Sequence, residues 1–268
     1  MKATAVIAVN VFRESVRDKV LYNLVLFAIL LMGASYMLGQ LTAGQDVKII
    51  KDLGLAAMSF FGLFIAVFIG IGLVSKEVER RSIYSLLAKP IHRHQIVLGK
   101  YCGLVLTLAV NVSVMAVALY LVLAYMSWGV APEIRRAWDA PATDPAILKA
   151  IALILVELML IIAIALFFST FSTPILSAAF TFGFFIAGHF SSDLRNFKDV
   201  VDSSAAAGLA RGVYWVLPNL AQFDIKDAVV HGQPVTAGYM GLSAAYGAAY
   251  IAMLLVVSMM IFSKRDFK

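Results

Sequence analysis

Six long apolar stretches constrain this chain more than any other feature. They fall at about 20–39, 53–74, 101–128, 150–170, 174–190 and 238–262. A helix needs roughly 20 mainly apolar residues to cross the hydrocarbon core of a bilayer, and it satisfies its own backbone polar groups there. The composition agrees, with 62% hydrophobic and 14% charged residues in a chain of 268. A soluble domain carries about 45–50% apolar and about 25% charged residues. A water-soluble globule of this size has no interior large enough for so much apolar surface. Disordered, collagen-like and disulfide-scaffold classes are excluded by the same figures, and the single Cys102 allows no internal disulfide. The reading is an all-α integral membrane protein with six transmembrane helices, a single transmembrane domain over 1–268.

The net charge of +6 raises the question of nucleic acid, but the placement of the charges answers it differently. With six spans both termini share a side. Segments 1–19, 75–100 and 263–268 then carry 13 Lys/Arg against five acids, while 40–52, 129–149 and 191–237 carry 9 against ten. Short cytoplasmic loops are enriched in Lys and Arg, so both termini are expected in the cytoplasm. No nucleic-acid partner is expected.

Residues 3–9 are apolar but too few for a cleavable signal, and Arg13, Glu14, Arg17, Asp18 and Lys19 follow closely. Ala5, Val9, Phe12 and Val16 recur at helical spacing, which predicts an interfacial helix over 1–19 lying on the membrane before the first span. The alternative is a plain extension of that span. The turn between the fourth and fifth spans is short, Phe171 to Thr173 with Pro174 after it, and predicts a helical hairpin. The largest piece on the opposite side, 191–237, mixes Leu194, Phe197, Val200 and Val201 at helical spacing with Tyr214, Trp215, Val216 and Leu217 before Pro218. One or two short external helices capping that face are expected, with a loosely ordered loop as the alternative.

Chemistry of the familiar kinds is missing from the sequence. The Gly99-Lys100 pair is followed by Tyr101 and lacks the upstream glycine of a phosphate-binding loop. There is no H-E-x-x-H, no zinc spacing and no nucleophile elbow. His92 and His94 flank Arg93 in a basic loop. No catalytic site, metal or bound cofactor is expected in this chain. Asn111, Ser113, Glu157 and Thr181 are the interior polar residues that stand out, and they are the candidates for a translocation path. Glu157 sits deep in the fourth span, where a carboxylate is expensive unless protonated, hydrogen-bonded or facing protein or water. It reads either as a proton relay or substrate contact, or as a neutral acid bonded to a backbone carbonyl, Asn111 or Ser113. His189 reads as a gate, a ligand or an interfacial residue. So few polar groups suit a lipid, a hydrophobic molecule or a peptide segment better than a sugar or ion.

The densest charge cluster, SKEVERRSIYSLLAKPIHRHQIVLGK over 75–100, divides into three parts. Lys76 to Arg81 continues the second span as a polar helix. Ser82 then caps a short turn in which Ile83, Leu86 and Leu87 share one apolar face, and Pro90 stops it. From Gln95 the chain leads into the third span. An apolar face ringed by Lys and Arg must be buried, against a bilayer or in the groove of a soluble protein.

This loop resembles the cytoplasmic loop of type 2 ABC exporter permeases, with Glu77 and Glu79, Ser82 to Leu87, Lys89-Pro90, Arg93, Gln95 and Gly99-Lys100 in the matching places. The segments FRESVRDKVLYN, FFSTFSTP and IFSKRDFK are similar to that family's interfacial elbow, fourth-to-fifth hairpin and basic tail. The similarity is nearest to permeases grouped with copper-enzyme maturation and gliding motility, though Ile83-Tyr84 stands where many relatives have Thr or Ile-Glu. The resemblance implies a permease in a bacterial inner (cytoplasmic) membrane that works as a dimer with a second copy or a paralogue. It implies a separate cytoplasmic ATPase, which binds ATP and Mg and meets this chain at Glu79, Arg80, Ser82, Ile83, Leu86, Leu87, Lys89 and Pro90. The competing readings are a proton-coupled secondary transporter using Glu157 and a membrane assembly factor that transports nothing.

Overall fold

The computed structural model describes residues 2–40, 46–79, 93–136, 138, 140–191 and 217–264, and these residues contain helices and connections without a strand. In chain order the helices are α1 (Lys2–Val16), α2 (Lys19–Gln40), α3 (Asp46–Glu79), α4 (Arg93–Trp128), α5 (Pro132–Arg136), α6 (Ala146–Ser169), α7 (Pro174–His189), a 3-10 turn (Ala221–Phe223), α8 (Lys226–Val230) and α9 (Ala237–Lys264). Five of them, α2, α3, α4, α6 and α9, are long and apolar enough to cross a membrane. The sixth expected span, α7, has only 16 residues. At about 1.5 Å per residue it reaches about 24 Å, short of a hydrocarbon core of about 30 Å. The six-span expectation therefore reduces to five full-length helices and one short one.

Helix α6 is the axis of the bundle. It is buried on almost every side from Leu158 to Phe168 and packs against α3, α4, α7, α8 and α9. The approach of α3 is set by glycines. A Cβ on Gly62 would stand 2.5 Å from Leu158 Cδ1, and one on Gly70 would stand 2.7 Å from Ala165 Cβ. Small residues let helix backbones close up where lipid offers no hydrophobic drive for association. Helix α2 lies further out. Leu21, Val25, Ala28, Met32 and Ser35 form a stripe at three- and four-residue spacing that meets α3 and α4, while Tyr22, Leu26, Phe27, Leu30 and Met37 face outward. Asp18 accepts from the Val20 amide at 3.0 Å, which ends α1 and starts α2 as separate helices.

Helix α1 packs on α4 along a side that the sequence reading does not single out. Its packed residues are Ile7, Ala8, Val11 and Ser15, with Val11 and Ser15 buried against α4. The stripe expected to be the helix's apolar face is rotated away from that contact, with Ala5 and Val9 exposed and Phe12 and Val16 half-buried. The helix therefore has two apolar sides, one on protein and one turned outward, because small residues at Ala8 and Ser15 suffice for a close crossing.

The helices also outrun their apolar windows. Helix α3 begins at Asp46 rather than near 53, and α4 begins at Arg93 rather than near 101. Hydropathy locates the greasy part of a helix, and the hydrogen-bonded turns continue beyond it. One consequence is Lys51. The sequence places it in a loop, yet its side chain is fully buried and donates to the Pro141 carbonyl at 2.8 Å, tying α3 to the connection before α6. Lys51→Met keeps the packed stem but leaves Pro141 O without its donor. A thermal melt should show a loss of about 1–3 kcal/mol, the cost of an orphaned buried acceptor.

Within the stretch expected as an external cap, residues 217–236 hold the 3-10 turn and α8, which pack on α6 and α3. Leu220, Phe223, Ile225, Val229 and Val230 are buried there. The Leu220 amide donates to Gly188 O at 3.0 Å, so the segment closes directly over the end of α7. Leu194, Phe197, Val200, Val201, Tyr214, Trp215 and Val216 lie outside the described residues.

Candidate functional site

The polar residues of the bundle separate into those satisfied within their own helix and those that meet across helices. Asn111 Nδ2 donates to Thr107 O at 2.8 Å, Ser113 Oγ to Ala109 O at 2.7 Å and Thr181 Oγ1 to Ser177 O at 2.7 Å. Each closes on the carbonyl one turn back, the usual recourse of a hydroxyl or amide in an apolar helix. Ser113 is on the exposed side of α4, whereas Thr181 is fully buried. These bonds do not bring the four candidate path residues together.

Glu157 behaves otherwise. It is 4% exposed, and its partner is neither Asn111 nor Ser113, as the sequence proposed, but His189. The His189 Nε2 atom lies 3.4 Å from Glu157 Oε1. The reach follows from chain geometry. The turn at 170–173 folds α7 back along α6, so the short α7 ends level with the middle of α6. His189 Nδ1 lies 3.2 Å from Phe185 O, and its ring packs on the Phe185 ring at 4.5 Å between centroids.

A second charged pair stands beside the first. Lys226 Nζ is 3.4 Å from Asp224 Oδ2 and 3.4 Å from Ser59 Oγ on α3. Asp224 Oδ1 also accepts from the Lys226 amide at 3.2 Å, which fixes the turn into α8. Both residues act electrostatically on Glu157 and His189. Thus α3, α6, α7 and the 217–236 segment each contribute to one polar cluster. Among the described residues three buried side-chain atoms, Ser191 Oγ, Asn219 Oδ1 and Gln222 Nε2, have no hydrogen-bond partner. The sequence reading missed Lys226, Asp224 and Ser59. A signal existed in AQFDIKDAVV, where three charges interrupt apolar residues, but a polar stretch between spans reads as solvated.

In the first turns of α4, Gly99 and Gly103 stand about one turn apart. A Cβ on Gly103 would lie 2.6 Å from Ala8 O and 2.7 Å from Val11 Cβ, and one on Gly99 would lie 2.8 Å from Ile7 Cβ. Helix α1 is thereby pressed onto α4 just after the basic loop. Of the residues expected to meet an ATPase, Glu79 ends α3. Arg80, Ser82, Ile83, Leu86, Leu87, Lys89 and Pro90 lie outside the described residues.

No curated protein matches the chain. A family model does: that of the ABC-2 family transporter proteins aligns with residues 5–267. The match takes in α1 through α9, and with the several apolar helices it makes this a multi-pass membrane protein of the permease kind. The chain belongs to the ABC-2 family of transporter proteins.

Proposed function

We propose that this chain is the membrane-spanning permease subunit of an ATP-driven exporter. Two copies, or one copy and a paralogue, form the translocation path. A separate cytoplasmic ATPase, which binds ATP and Mg, drives it. The observation that carries the reading is the family match along residues 5–267 in a sequence with no phosphate-binding loop, since ABC-2 permeases generally work with a cytoplasmic ATPase.

In this reading the face bearing both termini is cytoplasmic, in a bacterial inner membrane. The Ser82–Leu87 segment is the coupling helix. Its face of Ile83, Leu86 and Leu87 enters a groove of the ATPase, with Glu79, Arg80, Lys89 and Pro90 at the rim. Nucleotide-driven closure of two ATPase subunits acts on the path only if the contacts at this segment differ between the two nucleotide states. The close α1–α4 crossing lets α1 follow the first turns of α4, which leave that segment. The chain itself carries no catalytic residue and no cofactor.

The reading is tested by native mass measurement and reconstitution. Two chains of 29.1 kDa should travel with two ATPase subunits. Vesicles holding the complex should move cargo only with ATP. Transport by the purified chain alone, driven by a pH gradient, would overturn the proposal in favour of a proton-driven carrier.

A further inference from the structure

We propose that Glu157 and His189 form a one-proton binding site that latches the end of α7 to α6, and that loss of this proton to water releases α7 and the 217–223 segment from the bundle. The proposal goes beyond the permease reading and requires no ATPase.

The tautomer follows from geometry. A backbone carbonyl only accepts, so the 3.2 Å contact with Phe185 O places a proton on His189 Nδ1. In the neutral ring Nε2 is then a lone pair, and it faces Glu157 Oε1 at 3.4 Å. A carboxylate oxygen opposite a nitrogen lone pair is repulsive. One proton shared by the two groups makes the contact attractive, either as carboxylic acid against imidazole or as carboxylate against imidazolium. When that proton leaves to water, a carboxylate and a neutral imidazole remain. The ring can move its other proton to Nε2, but it then gives up Phe185 O. Either way one contact is lost.

The other charged groups around the pair are few. The 217–236 segment brings Asp224 and Lys226, already joined to each other. Helix α3 presents Ser59, and its sequence has no charged residue between Asp52 and Lys76. Helix α4 has no Asp, Glu, Lys, Arg or His from Tyr101 to Trp128, and α9 has none from Ala237 to Phe262. Their titratable groups are Cys102, Tyr101, Tyr120 and Tyr125 on α4, and Tyr239, Tyr246 and Tyr250 on α9.

Along its length α7 packs Phe182 on Phe64 and Phe180 and Phe184 on Phe168; the latch acts at its far end. Ile175, Leu176, Phe180 and Ile186 of α7 are exposed. Its far end is fixed by the His189 contact and by the Leu220 amide on Gly188 O. At that same junction Ser191 Oγ, Asn219 Oδ1 and Gln222 Nε2 are buried without a hydrogen-bond partner among the described residues. Separation of the junction exposes these atoms to water, which can pair with them.

The test reads accessibility of the junction in purified protein in lipid nanodiscs. Cys102 is replaced by Ser, and Ser191, fully buried, is replaced by Cys. Maleimide labelling is followed over roughly pH 5 to 10, a span wide enough for a carboxyl–imidazole pair. Each rate is divided by that of Phe190→Cys, whose position is 59% exposed, to remove thiol ionisation. The normalised rate should rise roughly tenfold from the acid to the alkaline limb, the population change that about 1.4 kcal/mol produces. Glu157→Gln, whose amide donates to Nε2 and cannot titrate, should label slowly at every pH. Glu157→Ala should label fast at every pH. A flat wild-type profile, or an inflection that survives in Glu157→Gln, would overturn the proposal. Should Glu157→Ala not fold, the isosteric Gln variant alone decides.

Discussion

Replacing both Leu86 and Leu87 with Asp should abolish co-purification of the ATPase while the permease itself stays folded. The spacing of the two leucines and Ile83 puts them on one apolar face of the coupling helix proposed for Ser82–Leu87, between Arg81 and Lys89. Full burial of a Leu side chain is worth about 1.5–3 kcal/mol. Two carboxylates in their place forfeit that twice, and each must also be stripped of water to enter an apolar groove. Even the first loss alone weakens association by roughly a hundredfold or more. The bundle should not register the change, because the substitutions fall in sequence between α3 and α4 and alter none of the side chains packed around α6. The measurement is a pull-down with a parallel thermal melt. An unchanged melt with retained ATPase would remove the coupling helix from the account. A milder pair, Leu86→Met with Leu87→Met, should keep the ATPase bound and show that apolar volume at this face is what matters.

The sequence reveals the spanning helices because hydropathy integrates over many residues, and errors at single positions cancel. It fails where one side chain decides. Lys51 looks like a loop cation, yet it is buried because the chain before α6 folds over α3 and offers Pro141 O. Glu157 stands out as a misplaced charge, but its partner lies on the next helix. That pairing depends on the shortness of α7, which sets His189 level with mid-α6, and a one-dimensional pattern gives no such register. The end of α7 is met by the Leu220 amide on Gly188 O, a contact between segments far apart in sequence. Phe223, Val229 and Val230 of the same segment are buried, while residues 231–234 are exposed. The side of α1 that packs on α4 is not marked by its largest side chains. In water the largest side chains mark the buried face, whereas beside lipid both sides are apolar and small residues mark protein contact.

That inversion makes Gly103 the most sensitive position near the basic loop. Gly103→Ala should lower the melting temperature and free α1, although it adds a single methyl group. The new Cβ would stand 2.6 Å from the Ala8 carbonyl oxygen and 2.7 Å from Val11 Cβ. A side chain in the way can rotate, but a carbonyl moves only with its helix, so α1 must shift bodily along α4. Overpacking of this kind costs about 1–3 kcal/mol, and the Thr4–Ser15 stripe has little other purchase. Gly33→Ala is the matched control, since nothing lies within 4 Å of that position, and it should leave the melt unchanged or slightly raised. Val11→Ala combined with Gly103→Ala should recover part of the loss but not all of it, because the oxygen remains. Hydrogen exchange across α1 distinguishes the outcomes. Faster exchange from Thr4 to Ser15 in Gly103→Ala, with α3 and α6 unaffected, is the expected pattern. Equal melts and equal exchange in Gly103→Ala and Gly33→Ala would mean that α1 is not seated on α4 at all.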